Sequence, residues 1–205
     1  MIIPIHVADE TKNALLQSKV QEIANCLEAH NVRVHVDARR HIRPGPKFFE
    51  WERKGVPIRL EVGLRDLGSS SVTMSRRVGN SVKSSVSIED LPATVVATLQ
   101  DMQSQLLEAA QARLHEKIFK LSTYAEMKSY LEQAAQGNLG QSGFYLVPWH
   151  ADDDNERAIK EDCKATIRCY PTFANSENTA ADLKNATCFY SGLPATHFAL
   201  FARAF

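Results

Sequence analysis

The 205-residue chain is predicted to be an α/β protein. We expect a mixed, mostly parallel β-sheet flanked by helices in the first half, followed by a small α+β domain. Three observations lead to this prediction. A strand, a helix and a second strand open the chain in the order of a βαβ unit, whose strands pair in parallel. A long run of helical periodicity then separates the two halves, and short apolar strands alternate with helices after it.

The βαβ unit occupies the first 36 residues. Apolar alternation predicts a strand from Ile2 to His6, and Asp9 or Thr11 can cap the helix that follows. Asn31 can end this helix. Its apolar face is formed by Leu16, Val20, Ile23 and Leu27. A half-buried second strand is predicted next, because the valines at positions 32, 34 and 36 alternate with Arg33 and His35.

The rest of the first half returns to the sheet. A short helix is predicted over Lys47–Lys54, and Val56–Gly63 is the third strand. After a polar turn at Gly68–Ser71, two further strands are predicted over Val72–Arg77 and Val82–Ile88, joined by a hairpin-type turn at Gly79-Asn80.

The second half begins within a long helix that opens at Pro92 and continues toward Phe119. We place the domain boundary inside it, with residues 1–103 in the first domain and 104–205 in the second. Ser122-Thr123 can cap the next helix. The remaining elements are a strand (Phe144–Trp149), a helix (Asp152–Cys163), a strand (Thr166–Tyr170), a polar mobile loop (Asn175–Asn185) and two last strands (Cys188–Tyr190, Phe198–Phe205).

Composition narrows the class of protein. Lys and Arg balance Asp and Glu at 24 each, so the whole chain has no overall attraction to nucleic acid. Between Arg33 and Arg77, however, the sequence has eleven basic residues and only five acidic ones. This local surplus of positive charge can neutralise phosphates. No apolar run is long enough to span a membrane, and no secretory leader is expected, because Met1-Ile2-Ile3-Pro4 leads directly into a strand. The four cysteines are therefore expected to be reduced, in a cytoplasmic protein.

Known catalytic patterns are missing from the sequence. It has no nucleophile elbow, no Gly-rich phosphate loop and no H-E-x-x-H pair. The first strand also lacks the Gly-rich turn that a nucleotide-binding α/β domain would have after it, which counts against a small-molecule-binding domain. The run Asp152–Asp154 is best explained as a charge match to a helix N-terminus.

The most informative stretch runs from Arg43 to Arg65 and reads R-P-G-P-K-F-F-E-W-E-R-K-G-V-P-I-R-L-E-V-G-L-R. It joins a basic, aromatic helix to a strand that interleaves Arg59 and Glu61 with apolar residues. Aromatic rings stack on unpaired bases, Arg donates to base acceptors, and a carboxylate accepts from the guanine edge. The stretch therefore predicts a surface that reads unpaired nucleotides.

The same stretch closely resembles the anticodon-binding domain of class II prolyl-tRNA synthetases of the archaeal and eukaryotic type. The family pattern is roughly P-G-x-K-F-x-E-W-E-x-K-G-V-P-x-R-x-E-x-G-x-x-D-L, and the resemblance extends over nearly the whole chain. It implies that the chain is the C-terminal part of a longer enzyme, which charges tRNA with proline using ATP and Mg²⁺. The catalytic domain would precede this part, and the full-length enzyme is expected to be a homodimer.

The resemblance also implies the residues that contact the anticodon, whose second and third positions carry guanine: Phe48, Glu52, Arg59, Arg65 and Asp66. Structural explanations remain open for each type of residue. At most two of the three rings at positions 48, 49 and 51 can face inward on a helix, and Glu52 can pair with Arg59 or Arg53 instead. Leu64 stands where the family often has Pro, which can alter the loop that holds Arg65 and Asp66.

Many relatives carry a zinc site of four cysteines in the second domain. The matching positions here are His150, Asn155, Cys188 and Ser191, of which only the first and third are good zinc ligands. Zinc is therefore not expected. The chain ends on Phe205, where the family has an aromatic residue whose carboxylate lies near the catalytic site, so Phe205 either docks there or simply ends a strand. The alternative to a synthetase part is a stand-alone RNA- or protein-binding module on the same fold.

Overall fold

The computed structural model describes residues 1–79, 83–138, 140, 142–175 and 180–203. The expectations for Asn80, Val82 and Phe205 fall outside these ranges. The chain divides into two compact units, Met1–Ala109 and Ala110–Phe205. Each unit has a four-stranded sheet of its own. In the described part of the chain, no helix combines the length and the hydropathy needed to cross a membrane.

The first unit is built on a sheet with the strand order β1-β2-β3-β4. Its strands are β1 (Ile2–Pro4), β2 (Ile58–Val62), β3 (Ser71–Arg76) and β4 (Ser84–Ser87). β1 and β2 are parallel, whereas β3 is antiparallel to both β2 and β4. The mixed α/β fold is confirmed, but parallel pairing is confined to the β1 side of the described strands, so the sheet is less parallel than predicted.

The second strand of the predicted βαβ unit is reduced to a bridge. Val36 forms an isolated parallel bridge with Ile2, held by a hydrogen bond of 2.9 Å from the amide of Asp37 to the carbonyl of Ile2. The predicted alternation of burial holds, since the valines are half-buried and Arg33 and His35 are exposed. The segment thus packs like a strand without extending the ladder.

In the described part of the first unit, the helices that lie or begin there are α1 (Glu10–Ala29), α2 (Pro44–Arg53), α3 (Leu64–Gly68) and α4 (Leu91–His115). Asp9 caps α1 by accepting from the amide of Lys12, and Asn31 follows its end with a φ of 61°. The predicted apolar face of α1 is buried. α3 was not predicted, and α4 ends at His115 rather than continuing to Phe119, which lies in a strand.

The two faces of this sheet differ in chemistry, because side chains alternate along β2. Ile58, Leu60 and Val62 point into the core, where they pack with residues of α1 and α4. Arg59 and Glu61 therefore lie on the opposite face. The side chain of Phe48 in α2 lies against this second, polar face. The periodicity of one strand thus sets the position of the candidate site.

The second unit contains β5 (Ile118–Lys120), β6 (Phe144–Trp149), β7 (Ala165–Cys169) and β8 (His197–Arg203), in the order β5-β6-β8-β7. β5 and β6 are parallel, and β8 is antiparallel to both β6 and β7. Its helices are α5 (Tyr124–Ala135), α6 (Asp153–Cys163) and α7 (Ala180–Lys184). Trp149, Ile159 and Phe201 are fully buried at its centre.

Two predictions for the second unit were wrong. Cys188–Tyr190 is not a strand: Cys188 and Phe189 are buried by a turn that is closed by a hydrogen bond of 2.7 Å from the amide of Cys188 to the carbonyl of Leu193. The polar stretch Asn175–Asn185 includes the short helix α7 in its described part. Both errors arise because short segments take their conformation from tertiary contacts rather than from local propensity.

Candidate nucleic-acid interface

A cation-aromatic pair occupies the centre of the polar face of the first sheet. The guanidinium carbon of Arg59 lies 4.5 Å from the centre of the Phe48 ring, and Lys83 Nζ lies 5.1 Å from the same ring. Phe48 belongs to α2 and Arg59 to β2, so the helix and the sheet meet through this contact. An aromatic ring beside two cations favours an electron-rich, negatively charged partner such as a nucleotide.

Carboxylates surround the guanidinium of Arg59. Glu52 Oε2 lies 4.0 Å from Arg59 Nη1, and Glu61 Oε1 lies 3.4 Å from Arg59 Nε. Glu61 is also paired with Lys83, at 2.7 Å. Because Arg59 is only 15% exposed in its side chain while Glu52 is 60% exposed, Glu61 orients the arginine and Glu52 keeps acceptor capacity toward solvent.

Helix α2 is anchored to the sheet edge by a buried ionic network. Asp37 accepts hydrogen bonds from Arg39 Nε at 2.8 Å and from Trp51 Nε1 at 2.8 Å. The ammonium of Lys47, also buried, donates to the Asp37 carbonyl at 3.0 Å and lies 3.5 Å from its carboxylate. The Arg39 hydrogen bonds hold the pKa of Asp37 well below its usual range, although burial opposes this, and Trp51 contributes in the same direction.

This network answers the question that the sequence left open for the three aromatic residues of α2. Trp51 faces inward and donates to Asp37, Phe48 is half-buried on the sheet, and Phe49 is 64% exposed. Two rings therefore face the protein and one faces solvent. Arg39, which we counted among phosphate-neutralising cations, is bonded to Asp37 and to Glu50 instead.

Arg65 and Asp66 lie on α3 rather than in a loop. The Asp66 carboxylate accepts a hydrogen bond of 2.9 Å from the amide of Gly63, which caps the helix. Arg65 is exposed and takes part in none of the ion pairs found among the described residues. Phe48 and Glu52 each contact Arg59, whereas no contact found among the described residues joins these three to Arg65 or Asp66.

Glu61 and Lys83 were not among the residues expected to contact the anticodon, although Glu61 was noted on the same strand as Arg59. The sequence carried a signal for the first, since Glu61 is two residues from Arg59 and must lie on the same face of a strand. Lys83 is separated from both by more than twenty residues, and its approach to Glu61 depends on how β2, β3 and β4 pair. The sequence predicted the hairpin of β3 and β4, but it did not predict that β3 pairs with β2.

Of the four degenerate zinc positions, Cys188 and Ser191 lie in the same turn. The pKa of the buried Cys188 thiol is lowered: burial alone would raise it, but hydrogen bonds from Ser191 and from the backbone of His150 and Tyr190 outweigh burial. His150 Nδ1 lies 2.9 Å from the carbonyl of Pro194, and the amide of Asn155 bonds to Asp152. Among the residues that the structure describes, no three His, Cys, Asp or Glu side chains are grouped to hold a metal. An amide and a hydroxyl at two of four positions do not fit tetrahedral zinc.

Two family models match the chain, one in each of its two compact units. Residues 1–98 match the family model of the anticodon binding domain, and residues 133–205 match the model described as prolyl-tRNA synthetase, C-terminal.

Curated relatives match the chain along all of its length. It is 33% identical over 205 residues to a proline–tRNA ligase of Amoebophilus asiaticus, and 34% identical over 205 residues to that of Phocaeicola vulgatus. Identity is 35% over 212 residues to the chloroplastic/mitochondrial proline–tRNA ligase of Arabidopsis thaliana. Each alignment covers 100% of this chain but only 38%, 38% and 36% of the respective relative. Across its whole length the chain thus matches the C-terminal part of prolyl-tRNA synthetases, an anticodon-binding domain followed by the C-terminal domain of that family.

Proposed function

We propose that this chain reads the anticodon of proline tRNA as the C-terminal part of a proline–tRNA ligase. The observation that carries the proposal is the assembly of Phe48, Glu52 and Arg59 on one polar face, with the aromatic ring beside the guanidinium. These three residues come from the stretch that resembles the family's anticodon-binding segment.

The chemistry of the surface suits guanine in a single strand. The Phe48 ring stacks on a splayed base, the guanidinium of Arg59 donates to the base acceptors, and the carboxylate of Glu52 accepts from the donors of the pairing edge. Arg65 and Asp66 complete the contacts from α3, which extends the proposed interface beyond the central cluster. Exposed basic residues around it neutralise phosphates without reading sequence.

The activity of the whole enzyme lies outside this chain. A preceding catalytic domain binds ATP and Mg²⁺ and transfers proline to tRNA, the full-length protein forms a homodimer, and the chain alone is not catalytic. We assign residues 1–103 to the anticodon-binding domain and 104–205 to the C-terminal domain. We also propose the archaeal and eukaryotic type of enzyme, on the strength of the motif in α2 and β2; its relatives include proteins of bacteria and of a plant organelle.

The C-terminal domain is proposed to fold without zinc, because Asn155 and Ser191 occupy two of the four ligand positions. A cytoplasmic location is proposed from the four free cysteines.

Binding of the 205-residue chain to RNA hairpins tests the proposal. The cognate hairpin carries guanine at the second and third anticodon positions, and the altered hairpins replace either guanine. Wild-type protein should bind the cognate hairpin more tightly, and Arg59→Ala should lose about 1–3 kcal/mol of that preference.

The matched control is Arg53→Ala, which removes an exposed arginine from the same helix. It should weaken binding of all hairpins alike and reduce the dependence on salt. Equal affinity of the wild-type chain for cognate and altered hairpins would rule out anticodon reading by this surface.

A further inference from the structure

We infer that Ser75 determines specificity on the surface formed by Phe48, Glu52 and Arg59. Its hydroxyl forms a hydrogen bond with a polar group at the edge of an anticodon guanine. The inference rests on the proposed function and adds a residue that the resemblance does not indicate. It starts from the strand pairing: Ser75 on β3 is the direct partner of Arg59 on β2. Residues directly opposite each other in an antiparallel pair project to the same face.

The hydroxyl of Ser75 is buried and unsatisfied. Ser75 is 8% exposed, and its Oγ has no hydrogen-bond partner among the residues that the structure describes. Native proteins rarely leave a buried polar side chain unpaired, because the lost hydration is not repaid. The other serines of β3 and β4 give no such signal: Ser71 Oγ lies 3.0 Å from Ser69 Oγ, and Ser87 Oγ donates to Asp90 at 2.7 Å.

A small cavity lies against Ser75. Its volume is about 20 Å³, and its lining includes Ser75, Arg59, Glu52, Trp51 and Arg77. That volume accommodates one polar group of the size of a water molecule. An exocyclic amino group or carbonyl oxygen of a base has this size, whereas a whole base does not fit. The cavity therefore suits the edge of a base that stacks outside it.

The polar groups around the cavity are complementary to guanine. Arg59 offers donors, Glu52 offers acceptors, and the hydroxyl of Ser75 can do either. Trp51 forms a rigid wall, since its indole N–H is already bonded to Asp37 at 2.8 Å. Arg59 is oriented by Glu61, so the donors at the cavity are fixed before RNA binds. Preorganised polar groups of this kind discriminate strongly against a base that leaves them unpaired.

The test measures hairpin binding by Ser75→Ala in the 205-residue chain. The hairpins carry guanine, inosine (which lacks the exocyclic amino group) or 2-aminopurine (which lacks the carbonyl oxygen) at the second or third anticodon position. Ser75→Ala should bind the cognate hairpin about three- to tenfold more weakly. It should bind at least one analogue hairpin as the wild type does, because the contact is already missing there.

Two further variants separate recognition from folding. Ser75→Val fills the cavity and should weaken cognate binding at least as much, and the control Ser85→Ala, an exposed serine on the same face, should change nothing. Ser75→Ala should also keep or raise the free energy of unfolding, because it removes an unpaired buried hydroxyl. A loss of stability with unchanged discrimination would identify Ser75 as a structural, water-bonded hydroxyl and overturn the inference.

The results also separate this inference from the proposed function. If the wild type discriminates between hairpins but Ser75→Ala changes the affinity for none of them, or for all of them equally, only the role of Ser75 is overturned. Wild-type protein that does not discriminate overturns the proposed function and this inference with it.

Discussion

The substitution Asp37→Ala tests whether the buried ionic network holds α2 on the sheet. The side chains of Asp37 and Lys47 are each 1% exposed, and their charged atoms lie 3.5 Å apart. Without the carboxylate, the buried ammonium of Lys47 keeps the backbone carbonyl of residue 37 as an acceptor but loses its counter-charge. The indole N–H of Trp51 loses the carboxylate oxygen to which it donates. Breaking a buried pair by removing one partner costs about 3–5 kcal/mol.

A cost of this size is a large fraction of the stability of a domain, which is typically about 5–15 kcal/mol. The Asp37→Ala variant should therefore unfold at a lower midpoint concentration of denaturant than the wild type. Hydrogen exchange followed peptide by peptide should assign the loss to residues 1–109 rather than to the second unit, since the network belongs to the first unit.

A double-mutant cycle with Lys47→Met isolates the pair. Lys47→Met alone leaves Asp37 bonded to Arg39 and Trp51, so we expect a loss of only about 1 kcal/mol. The double variant should be more stable than Asp37→Ala, because no buried charge remains unpaired. A stability of Asp37→Ala within about 1 kcal/mol of the wild type, or no rescue of it by Lys47→Met, would show that the buried pair does not hold α2.

Four further outcomes are expected. The Arg39 hydrogen bonds lower the pKa of Asp37 in the folded state. As the pH falls, the carboxyl is therefore protonated in the unfolded chain before it is protonated in the folded one, which favours unfolding. In acid titrations, the free energy of unfolding of the wild type should fall more steeply below about pH 4 than that of Asp37→Asn. Phe48→Ala should weaken hairpin binding about tenfold or more through lost stacking, whereas Phe49→Ala, which removes the exposed ring, should have less effect in the same fluorescence titration. Metal analysis of the purified chain should find well under one zinc per molecule, and a chelator should leave the melting temperature unchanged; stoichiometric zinc would contradict this. Gly143→Ala should cost about 1–3 kcal/mol in thermal unfolding, because its Cβ would overlap the carbonyl oxygen of Lys117, whereas Gly45→Ala, which meets nothing within 4 Å, should be neutral or stabilising.

Features that depend on local periodicity and on short-range capping could be predicted from the sequence. The apolar face of α1 follows from spacing along the chain, and its start at Asp9 follows from a side chain that can accept from an amide three residues on. The bounds of β6 agree with the prediction residue for residue, because a continuous apolar run between a glycine and a polar loop has few other solutions. The candidate residues at positions 48, 52 and 59 came from one contiguous motif, so they were also accessible from the sequence.

Which of these residues form one surface depends on contacts between segments that are distant along the chain. The tertiary structure places Lys83 beside Glu61 and Ser75 opposite Arg59, although these partners are distant along the chain. In the first unit, the Val32–Val36 segment makes a single bridge, and in the second unit, Cys188–Tyr190 forms a turn instead of a strand, because each depends on which backbone groups find a partner. Periodicity specifies which face a side chain takes, but pairing across distant segments determines its neighbours, and the chemistry of the site depends on those neighbours.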